Sequence, residues 1–455
     1  MRRLVFLLAI FSTLAVFLLP AFSQAKHPFT FEDMMKLKRV GEPVPSPDGK
    51  WVLFSVVDVD LAANKKTPHI WIVPLNTEGM EKESVGTGLR PVHAGQSPAT
   101  TPAEHILIPD QDGDRPRWAP DGKRFAFIST KEGGSQVWIA DFDGAAGTVT
   151  SVYKLTSIAT ETGGELWSPD GKNVLFTSDV YPECDGTPYG EAACNAKRVK
   201  EVENSKVKAL IFDRLLYRHW NAYKAGKRSH IFVVPGDACV GTAAPAVQPG
   251  GAGQDSPAAA NSRQASLDRT AEGGCPYVSA LDLTPGDYDA PVFSLGGQDD
   301  YAFSPDGQEI CYTSNHDKVE ATSTNNDLWI VSVNGGPAKN ITADNPASDS
   351  TPLYSPDGKY IAYRAQQRPG YESDRFRLML YDRKTGEKKN LTEDWDHWVG
   401  SITWAQDSKK LFFSSEDAGE SPIYVTRIDP YGALAPGSVR DWPPAGEKYR
   451  YAPLI

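Results

Sequence analysis

Six near-copies of one short turn punctuate this chain: PSPDGK at Pro45, WAPDGK at Trp118, WSPDGK at Trp167, FSPDGQ at Phe303, YSPDGK at Tyr354 and WAQDSK at Trp404. Their aspartates stand at 48, 121, 170, 306, 357 and 407, so the steps are 73, 49, 136, 51 and 50 residues and the underlying period is close to 50. A repeat of that length means an array of like units, each burying its faces against its neighbours. With 455 residues, the chain is well past the ~250–300 at which one hydrophobic core stops growing.

The turn chemistry and its flanks set the fold class. In Ser-Pro-Asp-Gly, proline presets φ, aspartate bonds its own backbone and glycine accepts the left-handed conformation that closes the turn. An aromatic precedes five of the six turns (Pro45 stands in that place in the first), and a strand-like segment follows each: WVLFSVVD, RFAFIST, NVLFTSD, EICYTSN, YIAYRAQ and KLFFSSED. About ten residues on comes another (HIWIVPL, QVWIADFDG, HIFVVPG, DLWIVSVNGG, RLMLYDRKTG, PIYVTRID), and a fourth short segment ends in Leu-Thr or Ile-Thr at YKLT, LDLT, KNIT and KNLT. Each unit therefore reads as a four-stranded antiparallel meander, and the chain as an all-β protein, a β-propeller of about 6–7 blades with its last part incomplete. The aromatic before each turn is expected to pack between blades, and the repeated aspartates to form turns rather than bind metal. DQDGD at Asp110 resembles a calcium loop but lacks the remaining ligand spacing.

The ends and inserts read differently. Residues 1–25 pair Arg2 and Arg3 with the apolar run LVFLLAIFSTLAVFLL and small residues before Lys26, the order of a secretory signal peptide. The mature chain is therefore expected in the periplasm or outside the cell, with no membrane attachment after cleavage. A net charge of −11 speaks against a general nucleic-acid binder. In an oxidising compartment Cys184 is expected to pair with Cys194 and Cys239 with Cys275, leaving Cys311 as a buried free thiol. No CxxC or partnered His spacing supports a zinc site, and no metal or cofactor is expected.

The step of 136 residues places an insertion in the third blade, between NVLFTSD and HIFVVPG. Residues 180–228 are read as a helical insertion, a helix or helical pair with Val199, Val202, Leu210, Ile211 and Leu215 at roughly helical spacing, and residues 240–275 as a low-complexity solvent loop. The helical part ends in the cationic, aromatic run RLLYRHWNAYKAGKRSH. Its Arg218, His219 and Trp220 are the candidate substrate or partner surface, against the blander reading of an insertion docked on the propeller with solvated lysines.

These residues carry a family resemblance. The repeated blade is similar to those of TolB and of the prolyl oligopeptidase family. The stretches FEDMMKLKRVGEPVPSPDGKWVLFSV, TSDVYPEC, KVKALIFDRLLYRHW, KRSHIFVV, DLTPGDYDAPVFSLGGQDDYAFSPDG and STNNDLWIVSVNGG resemble the N-terminal half of secreted bacterial dipeptidyl peptidases and acylaminoacyl peptidases of that family, over about Phe29 to Arg427. The resemblance implies a propeller, residues 26–430, covering a C-terminal α/β-hydrolase domain and admitting short peptides to a Ser-Asp-His triad. Here the sequence departs from the family: it contains no GxSxG nucleophile elbow, and His316 and His397 lie inside blade sequences. No catalytic residue is carried over.

The sixth repeat has Gln406 and Ser408 where the others mostly have Pro and Gly, and residues 431–455 lose the fourth-strand pattern, so truncation before the hydrolase domain is expected. Two functions fit this reading. One is the substrate-gating propeller of a secreted serine exopeptidase, inactive alone. The other is a non-enzymatic, TolB-like propeller of the cell envelope that grips a protein partner.

Overall fold

The computed structural model describes residues 28–75, 104–186, 191–212, 215–219, 222–237, 239–241, 277–278, 280–293, 299–428 and 440–442. The described residues divide into a small unit, within 28–39 and 58–67, and a large one, within 40–57 and 68–442. In the small unit a short helix, Phe31–Lys36, starts at Thr30. The Thr30 hydroxyl accepts from the Asp33 N–H while the Asp33 carboxylate accepts from the Thr30 N–H, a capping box.

The large unit is a β-propeller. Blade one contains Val44–Pro45, His105–Ile106 and, outside residues 58–67, the strands Trp51–Asp60 and Lys65–Pro74. Blade two is Asp114–Trp118, Arg124–Ser129, Gln136–Asp143 and Thr148–Lys154, and blade three is Gly163–Trp167, Asn173–Val180, Arg228–Pro235 and Leu281–Asp282. Blade four comprises Tyr301–Phe303, Glu309–Ser314, Asp327–Ser332 and Lys339–Asn340. Blade five comprises Asp349–Tyr354, Tyr360–Ala365, Arg377–Asp382 and Lys388–Asn390. Blade six is Ile402–Trp404, Lys410–Ser414, Ile423–Arg427 and Arg440–Trp442. The last strand corrects the expectation that the fourth-strand pattern is lost after PIYVTRID. Arg440–Trp442 pairs antiparallel with Ile423–Arg427, and such a ladder needs backbone groups in register rather than a particular side-chain motif.

The recurrent turn behaves as its chemistry dictates. Ser46, Ser168, Ser304 and Ser355 each donate to the aspartate two residues on, at 2.6–2.7 Å. That aspartate in turn accepts from the backbone N–H two residues further, as in Asp170 to Lys172 at 3.1 Å. The glycine that follows has φ near +70°, and Ser408 holds the same conformation in blade six at φ +58°. Its hydroxyl explains its place, because it accepts from the Asp357 N–H of blade five at 3.0 Å.

Consecutive blades share their cores. Trp118, Phe125 and Phe142 of blade two pack with Trp51, Leu53 and Ile70 of blade one, and Trp167, Phe176 and Phe232 of blade three pack with Ala126 and Ile139 of blade two. The pattern repeats through blades four, five and six. The aromatics before the turns do lie between blades: the indole N–H groups of Trp118, Trp167 and Trp404 donate to Val44, Arg117 and Leu353 carbonyls of the preceding inner strand at 3.1–3.2 Å.

The insertion carries the expected helix, over a shorter span than its sequence suggests. A helix spans Glu191–Asn204 and stops there. Leu210, Ile211 and Leu215, assigned above to a helical face, lie outside any helix and are 54%, 88% and 66% exposed. Helical periodicity stabilises a helix only where its apolar stripe is covered, and here it is not. The chain turns instead into a hairpin, Arg218–His219 with Ala222–Tyr223, beside stacked rings of Phe212, Tyr217 and Tyr223. Cys184 and Cys194 form a disulfide and Cys311 is free and buried. The Cys239–Cys275 pairing, the signal segment, most of the 240–275 loop and Trp220 lie outside the described residues. No helix among the described residues is long and apolar enough to cross a membrane.

Candidate functional site

Antiparallel meanders put the Ser-Pro-Asp-Gly turns at one end of the blades and the connections from second to third strand at the other. The insertion is such a connection, between Asn173–Val180 and Arg228–Pro235, and so is Asn315–Asn326 of blade four. They meet at a cleft of about 610 Å³ lined by Leu215, Arg228, Asp287, Tyr288 and Asn315–Ala321. Its floor is ionic. Arg228 reaches Asp287 at 2.9 Å, Glu320 at 3.0 Å and Asp289 at 3.4 Å, while Lys224 holds Asp289 at 3.0 Å and Asp179 at 3.3 Å. Burial alone lowers the pKa of both cations, but the carboxylates outweigh it and hold them above their ordinary values. With the lining Asp317 and Lys318, five carboxylates stand against three cations, an excess of negative charge that suits a cationic ligand group.

One wall is aromatic. The His316 ring lies between Tyr288 and Trp329, with centroids 3.7 and 4.0 Å away. Burial pushes its pKa down to about 4, so at neutral pH the ring is uncharged and acts as part of an apolar stack. Of the residues singled out in sequence, Arg218 and His219 lie in the insertion hairpin rather than among those lining the cleft, and His219 stacks on Phe293 at 4.2 Å. Sequence reasoning passed over Arg228, Asp287 and Glu320, whose convergence depends on long-range pairing. The available signal was the charge density of KRSH and PGDYDAP.

A second cluster, Asp185, His230 and Asp282, brings three possible ligand atoms within 4.8 Å of one another. It does not fit a metal. His230 Nδ1 faces an Asp282 carboxylate oxygen at 2.7 Å and Nε2 faces the Gly286 carbonyl at 2.9 Å. Both partners are acceptors, so both ring nitrogens donate, and a protonated imidazole has no lone pair for a cation. The same geometry excludes a catalytic base, which needs one nitrogen turned towards a nucleophile. At DQDGD, the Asp112 carboxylate accepts from Ser129, the Thr130 N–H and the Thr130 hydroxyl, a turn-forming role.

These features define a class: a β-propeller whose candidate site lies on the face opposite its turns, beside a third-blade insertion. The comparisons with known proteins make that specific. Dipeptidyl-peptidase 5 of Porphyromonas gingivalis is 30% identical over 400 residues, 87% of this chain and 47% of the relative. Dipeptidyl-peptidase 5 of Arthroderma otae is 24% identical over 437 residues, 92% of this chain and 51% of the relative. The uncomplexed acylaminoacyl peptidase of Pyrococcus horikoshii superposes with a TM-score of 0.52 at 15% identity, over 90% of this chain and 46% of that one. No family model matches. These likenesses support a propeller of the prolyl oligopeptidase family, and the chain spans about half the length of the curated relatives it matches.

Proposed function

We propose that this chain is the substrate-gating propeller portion of a secreted serine exopeptidase of the dipeptidyl or acylaminoacyl type, acting on short peptides and exported by its first 25 residues. The observation that carries the reading is the dipeptidyl-peptidase relative aligned over 87% of the chain. The cleft beside the insertion supports it, because Asp287 and Glu320 line it beside Arg228, and its surplus of negative charge suits the ammonium of a peptide amino end. In this reading the propeller excludes folded proteins and orients the peptide, while acyl transfer requires a nucleophile and oxyanion hole built elsewhere.

Binding of short peptides to the purified mature chain tests the proposal. Peptides with a free amino end are expected to bind saturably and about 10-fold more tightly than their N-acetyl forms, the ratio for a charge-assisted hydrogen bond. Asp287→Asn with Glu320→Gln should erase the difference. Tight binding of a folded protein with none of the peptides would overturn the reading in favour of an envelope partner-binding propeller.

A further inference from the structure

The inner strands of three blades carry the same irregularity. Pairing between the first and second strands shifts register between Asp114 and Arg117, between Gly163 and Leu166, and between Ser350 and Leu353. The residue inside each bulge has a left-handed backbone: Arg115 at φ +51°, Gly164 at φ +65° and Thr351 at φ +57°. Glycine adopts that conformation freely, whereas a β-branched threonine there is an outlier that costs on the order of 1–3 kcal/mol. Bulges re-aim side chains, and inner strands border a propeller's central channel. Strain held at two such positions therefore directs attention to what they aim.

The two sites end differently. Arg115 is neutralised: Nη2 meets Asp299 at 2.6 Å, and Nε lies 3.6 Å from the fully buried Glu165. Thr351 instead positions an arginine. Its N–H and hydroxyl face Asp300 Oδ1 at 3.0 and 3.4 Å, and its Oγ1 accepts from Arg364 Nε at 3.2 Å and Nη2 at 3.0 Å. The Arg364 guanidinium lies 4.7 Å from the Phe376 ring centroid, and Phe376 meets Trp398 edge-on at 5.4 Å. Among the described residues no carboxylate is within ion-pairing distance of Arg364, and Asp300 acts on it across Thr351. Guanidinium has five N–H donors, and two are committed to Thr351. The group is half-buried, and Trp398, on the Phe376 ring, is 43% exposed.

We propose that Arg364, oriented by Thr351 and Asp300 and packed on Phe376, whose ring in turn meets Trp398, is a carboxylate-binding subsite for peptides. The inference rests on the peptide-binding reading above. A planar guanidinium with free donors on Nη1 and Nη2 matches a carboxylate through two parallel hydrogen bonds, and the adjacent rings offer an apolar platform to the residue that bears it. The strained bulge fixes the fork before the ligand arrives, which reduces the ordering cost of binding. The carboxylate is supplied by a peptide's carboxyl end or by an acidic side chain.

Calorimetric titration of the wild-type chain with two matched pairs of tetrapeptides tests this: free acid against carboxamide at the C-terminus, and Asp against Asn at an internal position. In at least one pair the carboxylate form should bind about 10-fold or more tightly, the ratio expected of a charge-assisted pair. The pair that discriminates identifies the source. Arg364→Met should abolish the preference without weakening binding of the neutral partner, and Arg364→Lys should keep part of it. Measurable but equal binding within both pairs overturns the subsite and leaves the peptide reading standing. Absence of binding by any peptide overturns both.

Discussion

A threonine hydroxyl explains the Leu-Thr and Ile-Thr endings that recur in the sequence. Thr156, Thr284, Thr342 and Thr392 each accept, at 2.9 Å, from the backbone N–H of Val137, Ile231, Leu328 and Leu378 at or near the start of the third strand of their own blade. The preceding apolar residue donates its N–H to the carbonyl of that same third-strand residue, as Leu155 does to Val137. The pair closes the end of the blade with two hydrogen bonds in a place that water does not reach, since all four threonines are buried. Thr342→Val keeps the shape but strands the Leu328 N–H, and such a buried donor without a partner costs about 1–3 kcal/mol. We expect Thr342→Val to lower unfolding stability by that amount in urea titrations, and an unchanged midpoint would refute the closing role. The motif was legible as a repeat. Its purpose was not, because the partner N–H lies 14 to 53 residues away in sequence. Arg364 and Thr351 were illegible for the same reason, since nothing in STPLYSPDGKYIAYRAQ announces that a bulge will turn one residue onto the other.

Individual blades follow from their sequences more completely than the insertion between them. Alternating β-branched and aromatic residues bounded by a defined turn determine both strands and register, whereas the apolar residues of KVKALIFDRLL have no blade face to enter and so form no helix. What anchors the insertion is the disulfide between Cys184 and Cys194 together with the His230 cluster at its root. Burial lowers the pKa of His230, but the hydrogen bond and charge of Asp282, the charge of Asp185 and the Gly286 carbonyl overcome this and raise it above the model-compound value of 6.5. A histidine whose pKa is raised on folding contributes stability that is full below its unfolded pKa and is lost as pH rises through the folded one. Unfolding stability should therefore decline from about pH 6.5 upward through this group. His230→Gln should flatten that decline and lower stability at acid pH by about 1–3 kcal/mol, the loss of one buried charge-assisted bond. Unfolding midpoints measured from pH 5 to 9 on both proteins check it, and parallel curves would remove His230 from the account.

At the scale of the whole molecule, the period of about 50 residues read from six aspartates corresponds to one blade per turn, and the turns pack against one another around the propeller. Pro47 lies against Gly122, Pro120 against Gly171, Pro169 against Gly307 and Pro305 against Gly358, each at 3.6–4.0 Å from where a glycine side chain would begin. That architecture was readable because every repeat states it again. The cleft was not, since it depends on the insertion meeting a loop of the next blade. Under the proposed function we expect this chain to bind and orient peptides without hydrolysing them, since its sequence contains no GxSxG and the two nitrogens of the buried His230 both face acceptors. The most direct measurement adds dipeptidyl and acyl-aminoacyl chromogenic substrates, and then a fluorophosphonate probe, to the purified mature chain. Saturable substrate binding without chromophore release and without covalent labelling is the predicted result. Turnover that survives purification and disappears when one serine of this chain is replaced would contradict it.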